Sequence, residues 1–151
     1  MKTTRWFLAM LAGAVTLSLS GYVIYAVLFP RFYADFMSAG SAAGVEREQL
    51  LVWAVALGML AYSALITLAI GANASPRSVT SGAVTGALVS WLLWSTADLM
   101  LYGISNVGSL SGIVIDPLLK AAAGAIAGAV IAGVLVMPAE VTITDLRPRH
   151  S

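Results

Sequence analysis

Four long apolar segments constrain this chain more than any other feature of its sequence. They cover residues 6–29, 50–70, 79–104 and 117–137, and every charged residue except Asp98 and Lys120 lies outside them. A helix needs about 20 apolar residues to cross a hydrocarbon layer of about 30 Å, so each segment is long enough for one crossing. The sequence therefore predicts four transmembrane helices.

The composition supports a membrane protein over a soluble domain. The chain is 60% hydrophobic and 10% charged, whereas soluble domains are about 45–50% apolar and about 25% charged. At 151 residues there is room for one domain. We expect an all-α membrane fold, a four-transmembrane-helix bundle, with residues 138–151 as a cytoplasmic tail.

The positive charges predict the orientation of the bundle. Lysines and arginines near span ends favour the cytoplasmic side. One side carries Lys2, Arg5, Arg77, Arg147 and Arg149, and the other carries Arg31, Arg47 and Lys120. Both termini are therefore expected in the cytoplasm. The first span follows a short basic segment, as the apolar region of a signal peptide does. Its apolar stretch is too long for a signal peptide, however, and it does not end at a small-residue cleavage site. We expect this span to be retained.

Two local patterns predict a short helix between the first two spans and the residue at which the fourth helix begins. Residues 31–37 place Phe32 and Phe36 four apart, which is typical of a short helix lying in the membrane interface. Asp116 followed by Pro117 is a helix-start signal, because Asp can cap a helix and Pro fits its first position. The fourth helix is therefore expected to start at Pro117.

Several classes of chemistry have no residues to carry them. The chain has no cysteine, and its one histidine, His150, lies next to the C-terminus. Thiolate sites, iron–sulfur clusters and histidine-based metal or haem sites are therefore not expected. A Ser-His-Asp set and a phosphate-binding loop are missing too, so we expect neither an enzyme nor a cofactor. The net charge of +1 gives no reason to expect nucleic acid as a partner.

Small residues recur every four positions in the third and fourth spans, and they predict close helix packing. In lipid, helices associate through such faces, because lipid tails are as apolar as leucine. The repeat does not tell whether the faces join helices within one chain or between chains. It supports a first hypothesis: a non-enzymatic accessory or scaffold bundle that contacts the lipid bilayer and a second copy or another membrane protein. The packing residues are Gly82, Gly86, Gly124 and Gly128.

Asp98 supports a second hypothesis, because an ionisable residue within a membrane span is costly and suggests function. Helical spacing places it on one face with three aromatic residues, and the charged pair at the start of the fourth span lies at the same outer level. This set would form an outer pocket for a cation or an amphipathic small molecule, in a small transporter or binding protein. The structural alternative pairs Asp98 with Lys120, or with the loop around Ser105 and Asn106. The candidate ligand-binding residues are Trp91, Trp94, Asp98, Tyr102, Asp116 and Lys120.

Short motifs along nearly the whole chain resemble a family of small bacterial four-helix membrane proteins of unknown function. They are the run from Asp98 to Gly103, Ser105-Asn106, Asp116-Pro117, the glycine-rich residues 123–133, and Gly21-Tyr22 with Tyr25. The resemblance implies a bundle in the bacterial inner membrane and implies no activity and no site residue. Small multidrug transporters are similar in length only, since their first helix carries an essential acid and this one has none between Arg5 and Arg31.

Overall fold

The computed structural model describes residues 2–32, 34–35, 49–72, 78–105 and 109–136. Helix α1 covers Lys2–Tyr22 and continues as a π-helix over Val23–Leu28, α2 covers Val52–Ala72, α3 covers Val79–Ile104 and α4 covers Leu110–Val136. No strand occurs in these ranges. All four helices are long and apolar enough to cross a membrane. The predicted all-α fold with four such helices is confirmed.

The outer surface of the bundle is apolar along all four helices. Large hydrophobic side chains such as Leu19, Leu57, Leu92 and Leu118 are each more than half exposed. A soluble monomer rarely exposes a continuous apolar surface of this extent, because water contact with it is unfavourable. In a membrane the same side chains contact lipid at no such cost, which supports a multi-pass membrane protein.

The fourth helix begins earlier than the sequence predicts. Ser109 caps α4: its Oγ accepts a hydrogen bond from Gly112 N at 3.1 Å, and its carbonyl accepts one from Ile113 N at 3.1 Å. Pro117 therefore lies inside α4. Proline removes one helical hydrogen bond, but helices in a membrane tolerate it where neighbouring groups satisfy the freed carbonyl. The expected start at Asp116-Pro117 is corrected to Leu110.

This earlier start changes the depth of two charged residues. Asp116 lies 6 residues after Leu110, and Lys120 lies 10 residues after it. At 1.5 Å per residue these positions are about 9 Å and about 15 Å along the helix axis. Lys120 thus lies well inside helix α4 and not in its first turn.

Helices α3 and α4 form the closest pair in the bundle, and they run antiparallel. A methyl group added at Gly86 would lie 2.9 Å from Gly128 Cα, and one added at Gly82 would lie 2.5 Å from Gly128 O. Ser90 sits over Gly124 and donates a hydrogen bond to Gly86 O at 2.6 Å. The glycine faces predicted for helix packing therefore meet each other within one chain.

Helix α1 crosses α2 and α4 at Gly13. A methyl group there would lie 2.6 Å from Ile131 Cδ1 of α4 and still closer to Ser63 Oγ of α2. Ser63 also donates a hydrogen bond to Met10 O at 2.6 Å, which links α2 to α1. Helix α2 packs less closely against α3, and a groove of about 520 Å³ lies between them.

The predicted interfacial helix falls only partly within the described residues. Residues 30–32 and 34–35 have helical backbone. The rest of the 31–37 segment lies outside the described residues, as do the loop with Arg77, the predicted tail over residues 138–151, and His150.

Candidate functional site: a polar cluster between the four helices

Two carboxyl groups lie buried where α3 and α4 approach their connecting loop. Asp98 on α3 is 5% exposed and Asp116 on α4 is 4% exposed. The two side chains are close enough to interact electrostatically. They face each other because the antiparallel register of the glycine contacts continues along the helices. Gly86 lies opposite Gly128, and Ser90 lies opposite Gly124. Two further steps of four residues, forward on α3 and backward on α4, place Asp98 opposite Asp116.

The π-helical end of α1 brings Tyr25 to this pair. Phe29 N donates to Ile24 O at 2.8 Å, five residues back, which widens the helix at this point. Tyr25 Oη donates a hydrogen bond to Asp116 Oδ1 at 2.5 Å. Such π-helical turns within α-helices are frequent at functional sites. Asp116 thus has a partner from another helix.

Lys120 lies on two aromatic rings instead of on a carboxylate. Its Nζ is 4.3 Å from the centroid of the Tyr25 ring and 4.4 Å from that of Trp94. Both distances are within the range of cation–π attraction. The register that pairs Asp98 with Asp116 also places Trp94 opposite Lys120.

Asp98 lies against Asp116, and one of its oxygens has no hydrogen-bond donor among the described residues. Among the described residues, Asp98 Oδ2 is buried and has no hydrogen-bond partner. The sequence-based expectation that Lys120 pairs with Asp98 is therefore not met at this oxygen. Ser105, the other expected partner, donates its hydroxyl to Leu101 O at 2.7 Å. Asn106 lies outside the described residues.

Tyr62 of α2 adds a second aromatic wall. It is 9% exposed, and its ring meets that of Trp94 edge to face with centroids 6.2 Å apart. In the described part of the chain, Tyr62 Oη and Trp94 Nε1 are buried without a hydrogen-bond partner. Three buried polar atoms that lack a regular hydrogen bond among the described residues, on Tyr62, Trp94 and Asp98, therefore belong to one cluster, and the side chains of Tyr62 and Trp94 are close enough to interact with each other. A buried polar group without a partner is unfavourable and calls for an explanation.

Two predicted site residues lie away from this cluster. Trp91 and Tyr102 are each 44% exposed and belong to the outer surface of α3. Both lie on the same face of α3 as Asp98 by helical spacing. A side chain on that face is buried only where a neighbouring helix packs over it. The polar cluster is therefore defined by Tyr25, Tyr62, Trp94, Asp98, Asp116 and Lys120.

The charges in the polar cluster do not cancel. Asp98 and Asp116 contribute −2 and Lys120 contributes +1, so the fully ionised cluster carries a formal charge of −1. A cation or a proton would balance it. The described residues contain no group of three His, Cys, Asp or Glu side chains placed to hold a metal ion. The faces of the Tyr25 and Trp94 rings attract cations as well, as their contacts with Lys120 show.

The groove between α2 and α3 reaches the polar cluster from the side. Tyr62 and Trp94 both line it, together with Val55, Gly58, Leu65 and Leu93. The lining is almost wholly apolar, and Val55, Leu65 and Leu93 are exposed on the outer surface. The groove therefore opens on the apolar outer surface of the bundle.

Two residues of the polar cluster, Tyr25 and Tyr62, are not among the candidate site residues that the sequence predicts. Tyr62 stands next to Ser63 in a long apolar stretch and has no charged residue nearby to single it out, and Tyr25 reaches Asp116 through a π-helical turn that no sequence pattern predicts. The register of the glycine repeats could have paired Trp94 with Lys120 and Asp98 with Asp116.

Comparison of the chain with protein-family models, curated proteins and solved structures finds no match. A functional proposal for this chain therefore depends on the contacts within the polar cluster.

Proposed function

We propose that this chain is a small-molecule binding protein or transporter of the bacterial cytoplasmic membrane, and that its polar cluster binds an organic cation. The protein crosses the membrane four times, keeps both termini in the cytoplasm and catalyses no reaction. The observation that carries the proposal is Asp98 Oδ2, a buried carboxylate oxygen without a partner among the described residues.

A purely structural carboxylate would be expected to have its hydrogen bonds satisfied, because an unpaired buried charge is strongly unfavourable. The ammonium of Lys120 is close by, yet it lies on the rings of Tyr25 and Trp94. Those ring faces therefore already accept a cation. A ligand cation would interact with Asp98 and the same aromatic walls.

The depth of Lys120 supports the proposed orientation and the proposed site. Because Lys120 lies inside α4, the outer loops retain only Arg31 and Arg47 of the three basic residues assigned to them. The excess of positive charge on the side of the termini becomes larger, which favours a cytoplasmic location for that side. The polar cluster then lies in the outer half of the membrane.

An accessory or scaffold role is the second proposal, and it has less support. The four packing glycines are occupied by contacts between α3 and α4, so they are not free to contact a second chain. Ala54 and Gly58 form a further pair of small residues four positions apart, on α2. A methyl group at Gly58 would meet no atom within 4 Å among the described residues, so this part of α2 is open to a partner.

The test measures binding of radiolabelled tetramethylammonium to the protein in lipid nanodiscs. Asp98→Asn should weaken binding by about tenfold or more, because it removes a buried charge that faces the ligand. Lys120→Met should tighten binding, because it removes a competing cation from the ring faces. Trp91→Phe, an exposed aromatic on the same helix, is the matched control and should leave binding unchanged.

Opposite effects of Asp98→Asn and Lys120→Met on affinity separate ligand binding from a structural role. Thermal unfolding in the same nanodiscs gives the stability of each variant. If the wild-type protein binds no tetramethylammonium, or if both substitutions change only the unfolding temperature, the proposal is wrong.

A further inference from the structure

The groove between α2 and α3 ends at the polar cluster, and its shape bears on the kind of cation that binds. Its volume of about 520 Å³ lies within the range of about 300–1,000 Å³ found for small-molecule sites. Tyr62 and Trp94 belong both to the groove and to the polar cluster. A molecule that lies in the groove would contact these two rings, and its end would reach Asp98 by passing them.

The two parts of this combined site have opposite chemistry. The groove lining is almost wholly apolar, and the cluster behind it carries a formal charge of −1 when all its groups are ionised. Such a site is complementary to a molecule with one positively charged end and one apolar end. Because Val55, Leu65 and Leu93 are exposed at the mouth of the groove, the way in leads from the lipid and not from water.

We infer that the ligand is a single-chain amphipathic cation that enters from the bilayer between α2 and α3, with its apolar chain in the groove and its charged head at Asp98. This inference rests on the proposed function, since it takes the cation site as given and adds the chain site. Lipid tails are as apolar as the groove lining, so hydrophobic transfer contributes little here. The chain gains affinity through close packing and through its concentration in the membrane.

Gly58 offers a way to fill the groove without disturbing the fold. It lines the groove, and a methyl group there would meet no atom within 4 Å in the described part of the chain. Gly133 on α4 is equally open and does not line the groove. Gly58→Leu should therefore block the chain site, and Gly133→Leu is its matched control with the same change of side chain.

The experiment measures two probes in nanodiscs, tetramethylammonium as the head alone and decyltrimethylammonium as head and chain, with empty nanodiscs subtracted. Gly58→Leu should weaken binding of decyltrimethylammonium by about tenfold or more, as expected when a fitted apolar site is filled. It should leave tetramethylammonium binding unchanged. Gly133→Leu should change neither, and Asp98→Asn should weaken both.

The outcomes separate this inference from the proposed function. If Gly58→Leu and Gly133→Leu bind decyltrimethylammonium equally well, the chain site is elsewhere, although Asp98→Asn can still support the cation site. If Asp98→Asn weakens neither probe, the proposed function itself fails. If native mass spectrometry shows that Gly58→Leu converts a dimer into a monomer while probe binding is unchanged, the groove is a contact between two copies and the inference is overturned.

Discussion

Replacing Gly124 with alanine tests the closest helix contact in the bundle. A Cβ at this position would lie 2.5 Å from Gly86 O and 2.5 Å from Ser90 Cβ, whereas ordinary contact begins at 3.4 Å. The difference is 0.9 Å for both atoms. Both are fixed to the backbone of α3, so the strain cannot be relieved by turning a side chain. The two helices have to separate or bend.

The expected size of the effect follows from two opposing terms. Overpacking of this kind costs about 1–3 kcal/mol. Alanine also has a higher helix propensity than glycine, by about 1 kcal/mol. Gly133→Ala shares the second term, because it lies on the same helix, but a methyl group there meets no atom within 4 Å among the described residues. The difference between the two variants therefore isolates the packing term, about 1–3 kcal/mol.

The assay is reversible unfolding in mixed detergent micelles, with the free energy of unfolding measured for the wild type and both variants. Gly124→Ala should be less stable than Gly133→Ala by the amount above, and Gly133→Ala should be as stable as the wild type or more so. Equal stability of the two variants would show that α3 and α4 do not meet at Gly124, and it would contradict the register on which the polar cluster depends.

Two further substitutions test contacts between other helices. Tyr25→Phe removes the hydrogen bond to Asp116 and should lower the free energy of unfolding by about 1–3 kcal/mol, whereas Tyr22→Phe, an exposed tyrosine on the same helix, should change it little; equal effects of the two would place Tyr25 away from Asp116. Ser63→Ala removes the hydrogen bond from α2 to Met10 O and should lower the free energy of unfolding by about 1 kcal/mol in the same assay. Thr96→Ala, which removes an exposed bond within α3, is its control, and a loss as large as that of Ser63→Ala would argue against the link between α1 and α2.

The glycine repeats show how far sequence patterns reach into this fold. Their four-residue spacing predicted close packing, and the four glycines do lie at the closest contact between α3 and α4. The spacing did not tell that the partner face belongs to the same chain. Whether the partner face belongs to the same chain depends on the short connection between α3 and α4 and on their antiparallel arrangement. Because the two helices are joined in this way, their glycine faces meet each other and not a second chain.

Four of the six candidate site residues lie together in the structure. Trp94, Asp98, Asp116 and Lys120 lie together, and Trp91 and Tyr102 lie on the outer surface of α3. Helical spacing places residues on a face, but it does not tell how far the neighbouring helix covers that face. Tyr25 and Tyr62 come from α1 and α2, and their approach depends on the tilt and rotation of those helices.

The sequence by itself determined that the chain forms four helices long and apolar enough to cross a membrane. Hydropathy is a property of each segment, so the free energy of placing a segment in lipid can be judged locally. Only the tertiary structure decided where α4 begins and which side chains its charges meet. Capping by Ser109 and contacts along α3 extend α4 beyond Pro117, and this extension places Lys120 on the rings of Tyr25 and Trp94. These contacts of Lys120 depend on the positions of several helices relative to one another, so they cannot be predicted from the sequence of any one segment.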